Sequence, residues 1–589
     1  MELLSASIKY DNNINGIKIK NSEFLLSQYA DDSTLILDDS EESLNSALNK
    51  IDLFYSCSGL KANFEKTQVI WIGAKRGCGE ELNTNKTIIW NHSGNFKLLG
   101  IQYCLSKVDI CVDNYLEKIQ KVKNLLSDWS FRNITIYGKI VVVKTLALPI
   151  LIQCFTVLPD PSPDILKQLQ AMLYRFVWDG KGDKIKRNIL ISNYEDGGVK
   201  MPHIESFIKS LKLSWVKKVL DPTNYSSWKV LLADHLEMNG GENMWHLSKS
   251  ALNEIKKEFN PFWQNVISSW ASLCEPLTTA PSDILSQPLF LNENIMIDGK
   301  TVFYKRWIQN NVFFINDLIK ENGEFYNYDE FIRNYNIKTT FLDFYGLILA
   351  LPKEWKNVIH SQVFIKLNTV SHKIVTAIKT VDKVSKHFYN FFLDKIKETP
   401  SRIQEKWKIK LGIDIVAEEW NYFFSLPLLI TEDPTLRAFQ YRLLHRILGT
   451  NILLMKCKYS ETELCTFCTE TKETYIHLFF ECRYVRTFWL NFFQKLEDVC
   501  NVSFLPTLSS IILGVKYHLF KDILNTCILI LKRYVYLCRV RFTVPSVAEA
   551  IEWLKYYYRV DMVSMNLCST SKAIRLKEKW SSIDNIIKK

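Results

Sequence analysis

No run of about 20 uninterrupted apolar residues, the length a bilayer span needs, occurs anywhere in the 589-residue chain. The most apolar segment, Ile140 to Leu158, is interrupted by Lys144, Pro149 and Gln153 and reads as packed interior. The opening residues MELLSASIKYDNNING lack a basic segment followed by an apolar core, so the pattern of a secretory signal is missing. There is no tandem repeat and no low-complexity tract. Neither sign of charge dominates. Lys and Arg number 74 against 63 Asp and Glu, a net 74 − 63 = +11, which suits a polyanionic partner without demanding one. Cysteine is sparse at 14, and only one group has ligand-like spacing. A chain this large does not need disulfide staples, so most of these thiols read as reduced and buried. The expectation is a soluble cytoplasmic or nuclear protein with no membrane partner.

What is present can build a large core. Apolar residues make up 47% and charged residues 23%, which excludes a wholly disordered or collagen-like chain. The length implies several domains, roughly four. FLLSQYADDSTLIL reads as two apolar strands around a polar centre, a hairpin. Ser40 then offers an N-cap ahead of Glu41 and Glu42. Leu44, Leu48, Ile51 and Phe54 recur at helical spacing, and Gly59 stands where a C-terminal glycine belongs. KTQVIWIG and FKLLGIQY each read as a further strand. Residues 105–225 are helical, broken by Pro159, Pro161 and Pro163 and by the glycine-rich loop EDGGVKMP. Residues 226–430 are mostly helical, with polar connections near 275–300 and 396–405. Residues 431–500 hold a Cys/His group, and 501–589 read as apolar helices with a basic tail.

Two motifs carry chemistry. Asp31 and Asp32 stand at the hairpin centre. Adjacent carboxylates at a tight turn can face one Mg²⁺, and nucleotidyl transfer places two such ions about 4 Å apart. A solvated Asp-Asp turn is the alternative. The second motif is Cys465-x₂-Cys468-x₈-His477-x₄-Cys482. Three thiolates and an imidazole close a tetrahedral shell, the pattern of structural Zn²⁺, with no position left for water. Reduced core cysteines, or a disulfide within the pair, are the alternatives. Cations gather in two places. Lys118, Lys121, Lys123, Arg132, Lys139 and Lys144 interleave with Trp129, Phe131 and Tyr137, and Lys184, Lys186 and Arg187 follow Lys181. Such segments either neutralise phosphates while aromatics stack on bases, or form ordinary solvated helix faces. Arg437, Arg442 and Arg446 offer a third face.

Gln28-Tyr29-Ala30-Asp31-Asp32 resembles the Tyr/Phe-Ala-Asp-Asp signature of reverse transcriptases of LINE-type non-LTR retrotransposons. SGLKANFEKTQV (Ser58–Val69) and KLLGI (Lys97–Ile101) resemble the segments that follow it. WSFRNITIYGKIVVVKTLALP (Trp129–Pro149) resembles the thumb-side helices, stretches within Phe176–Lys218 resemble the post-polymerase region, and Ile297–Ile319 resembles the connecting region of these open reading frames. RAFQYRLLHRILGTNILL, LCTFC and ETYIHLFFECRYVRTFW resemble the zinc-binding domain of these elements. The resemblance implies a mixed α+β, predominantly α-helical fold. It would comprise an incomplete palm (1–104), thumb and post-polymerase helices (105–225), a helical connector (226–430), a small CCHC zinc-binding domain (431–500) and C-terminal helices (501–589). It implies RNA template and target DNA as partners, with Tyr29 among the nucleic-acid contacts and Lys66 near the leaving pyrophosphate; an exposed lysine at a strand start is the other reading of Lys66. Protein partners are not implied.

The family's active site takes a third carboxylate from an upstream strand. The acids ahead of Tyr29 are Glu2, Asp11 and Glu23, and none closes an apolar strand. Fingers and most of the palm are also expected to be missing. The chain is therefore expected to bind RNA or DNA without polymerising alone, taking Mg²⁺ only where an intact site is restored. Two other readings remain open: a zinc-stabilised scaffold without a nucleic-acid role, and an active enzyme whose N-terminal part was lost in gene prediction.

Overall fold

Ser40 caps the helix Glu41–Ser58 by accepting the Ser43 N–H at 3.2 Å, and Gly59 ends it at φ +74°, its N–H on Tyr55 O at 2.8 Å. Both signals are local, which is why the sequence locates this helix closely. The computed structural model describes residues 1–105, 111–239, 241–274, 284–361, 373–565 and 569–587. The polar connection expected near 275–300 lies partly outside these, as do the last two lysines of the basic tail. The fold is mixed α+β and predominantly helical. The chain divides into two compact units.

The first unit comprises 1–120, 151–166 and 205–390 and holds every strand among the described residues. The strands form five two-stranded sheets, four antiparallel and one parallel. Leu26–Tyr29 pairs with Asp32–Leu35, so the hairpin expected around the Asp pair is present. A small core of Leu4, Ile8, Ile14, Leu25 and Ala47 sits beneath it.

FKLLGIQY differs from its reading. It is a hairpin, Asn95–Leu98 against Ile101–Cys104, turned at Leu99 (φ +47°) and Gly100 (φ +79°). Two positive φ angles make the tight turn that suits right-twisted strands, but the apolar Leu99 hides it from a periodicity argument. KTQVIWIG contributes only Gln68–Val69, paired parallel with Ile89–Trp90.

The second unit comprises 121–150, 167–204 and 391–589, and its named elements among the described residues are all helices. Its core gathers Trp407, Trp420, Leu443, Phe479, Trp489 and Leu531. The loop EDGGVKMP is fixed against this core. A Cβ on Gly198 would lie 2.1 Å from Ser192 O, and Gly197 adopts φ +80°, so only glycine fits either place. Gly197 O accepts the Nε2–H of buried His445 at 2.8 Å, and the imidazole packs on Tyr441 with ring centroids 4.4 Å apart. Among the described residues no single helix is long and apolar enough to cross a membrane.

Burial pushes the His445 imidazole down to about 4, against an ordinary value of 6.5. Below pH 6.5 the unfolded chain takes up a proton that the folded chain refuses, so stability falls as pH drops towards 4. The difference at pH 5 is about 2 kcal/mol. Denaturant titrations of wild type and His445→Gln at pH 7 and pH 5 should show wild type losing about that much more. Equal losses would contradict the burial of a neutral imidazole.

Candidate metal centre and nucleic-acid interface

The first two cysteines are set by a tight reversal. Leu464 bridges antiparallel to Lys472, Cys465 N donates to Thr471 O at 2.7 Å, and Thr469 N donates to Cys465 O at 2.9 Å, with Thr469 at φ +56°. This curls the chain so that both thiols face one side. Phe467 N donates to Cys465 Sγ at 3.4 Å.

The other two ligands depend on a π-helical turn. His477 and Cys482 are five residues apart, which in a regular α-helix would put them about 140° apart around the axis. The segment His477–Glu481 is instead a π-turn, closed by Cys482 N donating to His477 O at 2.9 Å. The wider turn brings positions i and i+5 to the same side, in keeping with the concentration of such turns at functional sites. Cys482 then stands as N-cap of the helix Arg483–Cys500. The hydrogen bond from the Cys465 thiol at 3.9 Å, helped by the nearby Tyr484 and Val485 N–H groups and opposed by burial, holds the Cys482 thiol below its ordinary range. The same Cys465–Cys482 bond, with burial, pushes Cys465 up. A helix N-terminus favours a thiolate in any case.

The four donor atoms converge. Cys465 Sγ is 3.9 Å from Cys482 Sγ, Cys468 Sγ is 3.3 Å from His477 Nε2, and all four lie within 4.8 Å of one another. Zn–S bonds of about 2.3 Å in a tetrahedron would put sulfurs about 3.8 Å apart, and sulfur and nitrogen somewhat closer. The residues present therefore fit a Zn²⁺ ion. All four are buried, and the cysteines form no disulfide. A closed, dry, four-donor shell holds structure and leaves no place for a substrate.

Sequence reasoning missed the group that fastens this turn to the core. Glu473 is fully buried. It accepts from Asn451 N at 2.8 Å, Thr466 N at 3.0 Å, Thr466 Oγ1 at 2.9 Å and Arg539 Nε at 3.0 Å. Arg539 also donates to Asn451 Oδ1. Buried charge is tolerated where every lone pair is met, and five donors, Asn451 Nδ2 at 3.4 Å included, meet this carboxylate. Only the acid's placement between the two ligand pairs could have hinted at it.

The acidic hairpin is different in kind. Tyr29 pairs with Asp32 across the two-residue turn Ala30-Asp31, and Ala30 takes φ +54°. Tyr29, Asp31 and Asp32 are all exposed. Among the described residues, the one group of three or more His, Cys, Asp or Glu arranged to hold a metal is the Cys/His cluster; Asp31 and Asp32 belong to no such group. Lys66 is exposed in the turn before the strand Gln68–Val69, the strand-start position.

The nominated cations separate into two sets. Lys139 is buried and ion-paired with Asp179, which removes it from a phosphate-facing surface. Lys186 pairs with Glu398 at 3.2 Å, and Arg187 pairs with Asp183 at 2.8 Å while lying over the Tyr174 ring. Arg437 is spent on Thr431 O, Leu428 O and Glu432, and Arg446 packs over Trp407 and Tyr475. Lys121, Lys123 and Arg132 are exposed on or just past the helix Cys111–Ser130, with Arg132 over the Trp129 ring at 4.3 Å, and Lys118 on the same helix is half-buried. Lys144 is exposed too, although desolvation and then Lys200 hold its ammonium below the ordinary range. Desolvation first, then the charges of Arg442 and Lys181, lower the Lys184 ammonium. Lys181 lies over the Tyr459 ring at 5.8 Å, just ahead of the first zinc ligand.

Purified without chelators, the protein should carry about one zinc per chain, and Cys482→Ser should lose it. Elemental analysis finding none in the wild type would contradict the site. Glu473→Ala should destabilise the C-terminal helical domain by about 3–5 kcal/mol, since it strands Arg539 in the core. A denaturation midpoint equal to wild type would contradict that role. Residues 416–489 match the family described as zinc-binding in reverse transcriptase, which makes this C-terminal region of the chain reverse-transcriptase related.

Proposed function

We propose that this reverse-transcriptase-related zinc-binding protein derives from a LINE-type non-LTR retrotransposon and binds RNA and DNA in the cytoplasm or nucleus. The observation that carries the reading is the cluster Lys181, Lys184 and Arg442, with Tyr459 beside it, next to the zinc-binding turn. Desolvation first, then the charges of Arg442 and Lys181, lower the Lys184 ammonium, and a polyanion bound beside three neighbouring cations neutralises their mutual repulsion. Tyr459 is exposed and can stack on a base. A Zn²⁺ held by Cys465, Cys468, His477 and Cys482 would supply a structural tie beside this surface.

Copying of a template is not proposed for this chain alone. Two exposed carboxylates at a hairpin tip, with no third ligand grouped with them among the described residues, under-neutralise a pair of Mg²⁺ ions and leave the triphosphate without a platform. Tyr29, Asp31, Asp32 and Lys66 are proposed as the trace of that ancestral site. A scaffold without nucleic-acid contacts is favoured by one observation: Lys139, Lys186 and Arg187 are each paired with a carboxylate.

Fluorescence anisotropy across a salt series separates the two. Three phosphate contacts on a single strand give a log–log slope near −2, at about 0.7 per cation, and Lys184→Ala should reduce it by about 0.7. Binding that ignores salt, or no binding, would contradict the reading. In a primed-template assay the chain should incorporate no nucleotide. Incorporation abolished by Asp31→Ala would show a working polymerase.

A further inference from the structure

Immediately past the last zinc ligand, the first turns of the helix Arg483–Cys500 form one wall of a groove of about 380 Å³. The opposite wall is Val544, Pro545 and Ser546, with Val547 at the start of the helix Val547–Met565. The floor is Phe488, buried and packed on Tyr534 and Trp489 with ring centroids 6.0 and 5.3 Å away. The loop wall is tied to the core: Ser546 N donates to Tyr534 Oη at 3.0 Å, and Tyr534 Oη donates to Glu549 at 2.8 Å. The groove is therefore built before anything enters it.

Its rim is polar and cationic. Arg483, Tyr484, Thr487 and Asn491 recur on one helix face, and exposed Lys495 continues that face one turn on. The Arg483 guanidinium lies 5.0 Å over the Tyr484 ring and 3.0 Å from Glu470. Both members of that ion pair are exposed, so it is weak in water and a phosphate can compete for the arginine. Two exposed acids, Glu497 and Asp498, lie further along the same helix, and Asp498 accepts from Gln494 at 2.9 Å. Zinc binding explains none of these rim residues.

We propose that this groove holds one nucleotide of a single-stranded polynucleotide, its base stacked on Tyr484 above the Phe488 floor and its phosphate on Arg483. Thr487 and Asn491 supply hydroxyl and amide groups for the sugar and the base edge. A few hundred Å³ is the size of a small-ligand site. An aromatic face beside a cation is what single strands use, because every base has a face to stack and every linkage a charge. A duplex keeps its bases stacked inside and cannot reach the floor. The inference rests on the nucleic-acid reading above and assigns part of that binding to a place.

The zinc-loaded full chain is titrated against a fluorescent oligouridylate, the matching oligothymidylate and a duplex. Tyr484→Ala should weaken both single strands about tenfold and leave the duplex unchanged, while Tyr484→Phe, which keeps the ring, binds as wild type does. Lys184→Ala should weaken all three. Single-strand affinity that survives Tyr484→Ala but falls with Lys184→Ala overturns the groove and leaves nucleic-acid binding standing. No binding by the wild type overturns both. Photo-crosslinking of a thiouridine-substituted strand should mark the peptide carrying Tyr484, and marks confined to other peptides would overturn the assignment.

Discussion

Three sulfurs and one ring nitrogen must meet at a single point inside a dry core, and the local architecture of the C-terminal domain follows from that demand. Thiolates packed within 4.8 Å of one another repel, and each has lost its water. A dication removes most of that cost, and directed N–H groups remove more. That is why the last cysteine caps a helix and why the chain departs from regular α-helical winding between His477 and Cys482. Since the ligands converge only when the chain is folded, ion binding and folding of this region are one equilibrium.

A metal turn alone is a small loop with little to bury. Here it is joined to the 21-residue helix Lys521–Arg541 by one buried carboxylate. Glu473 sits between the two ligand pairs in sequence and meets Arg539 and Asn451 in space. The turn, the short helix Asn451–Lys456 and the long core helix are therefore tied together through Glu473. Around this joined set stand the features proposed to meet a polyanion: Lys181, Lys184 and Arg442 ahead of the turn, and the groove of Arg483 and Tyr484 behind it.

What the sequence reveals is what is local. Ser40 and Gly59 bound a helix through contacts within one turn of themselves. The zinc ligands are legible because tetrahedral coordination restricts their spacing. The Asp31-Asp32 hairpin is legible because two strands and a two-residue turn lie side by side in the chain. Longer-range partners are not. Glu473 and Arg539 are 66 residues apart, and nothing near either one announces the pair. Lys139 sits in a basic segment yet is buried, because Asp179 meets it from a later helix end. The charge that acts on Lys184 after desolvation is Arg442, supplied by a helix far along the chain. The Leu99-Gly100 turn is hidden for another reason: an apolar residue occupies a left-handed position where the pattern suggests an unbroken strand.

The two halves of the resemblance differ physically. The zinc-binding half is a buried, fully bonded constellation, and its region matches a reverse-transcriptase zinc-binding family. The polymerase half is a solvent-exposed turn with two acids. The central claim is the closed sulfur-rich shell, and X-ray absorption at the zinc edge of the purified protein tests it most directly. Three sulfur neighbours at about 2.3 Å and one nitrogen at about 2.0–2.1 Å are expected. A shell containing oxygen ligands, or fewer than three sulfurs, would contradict the account.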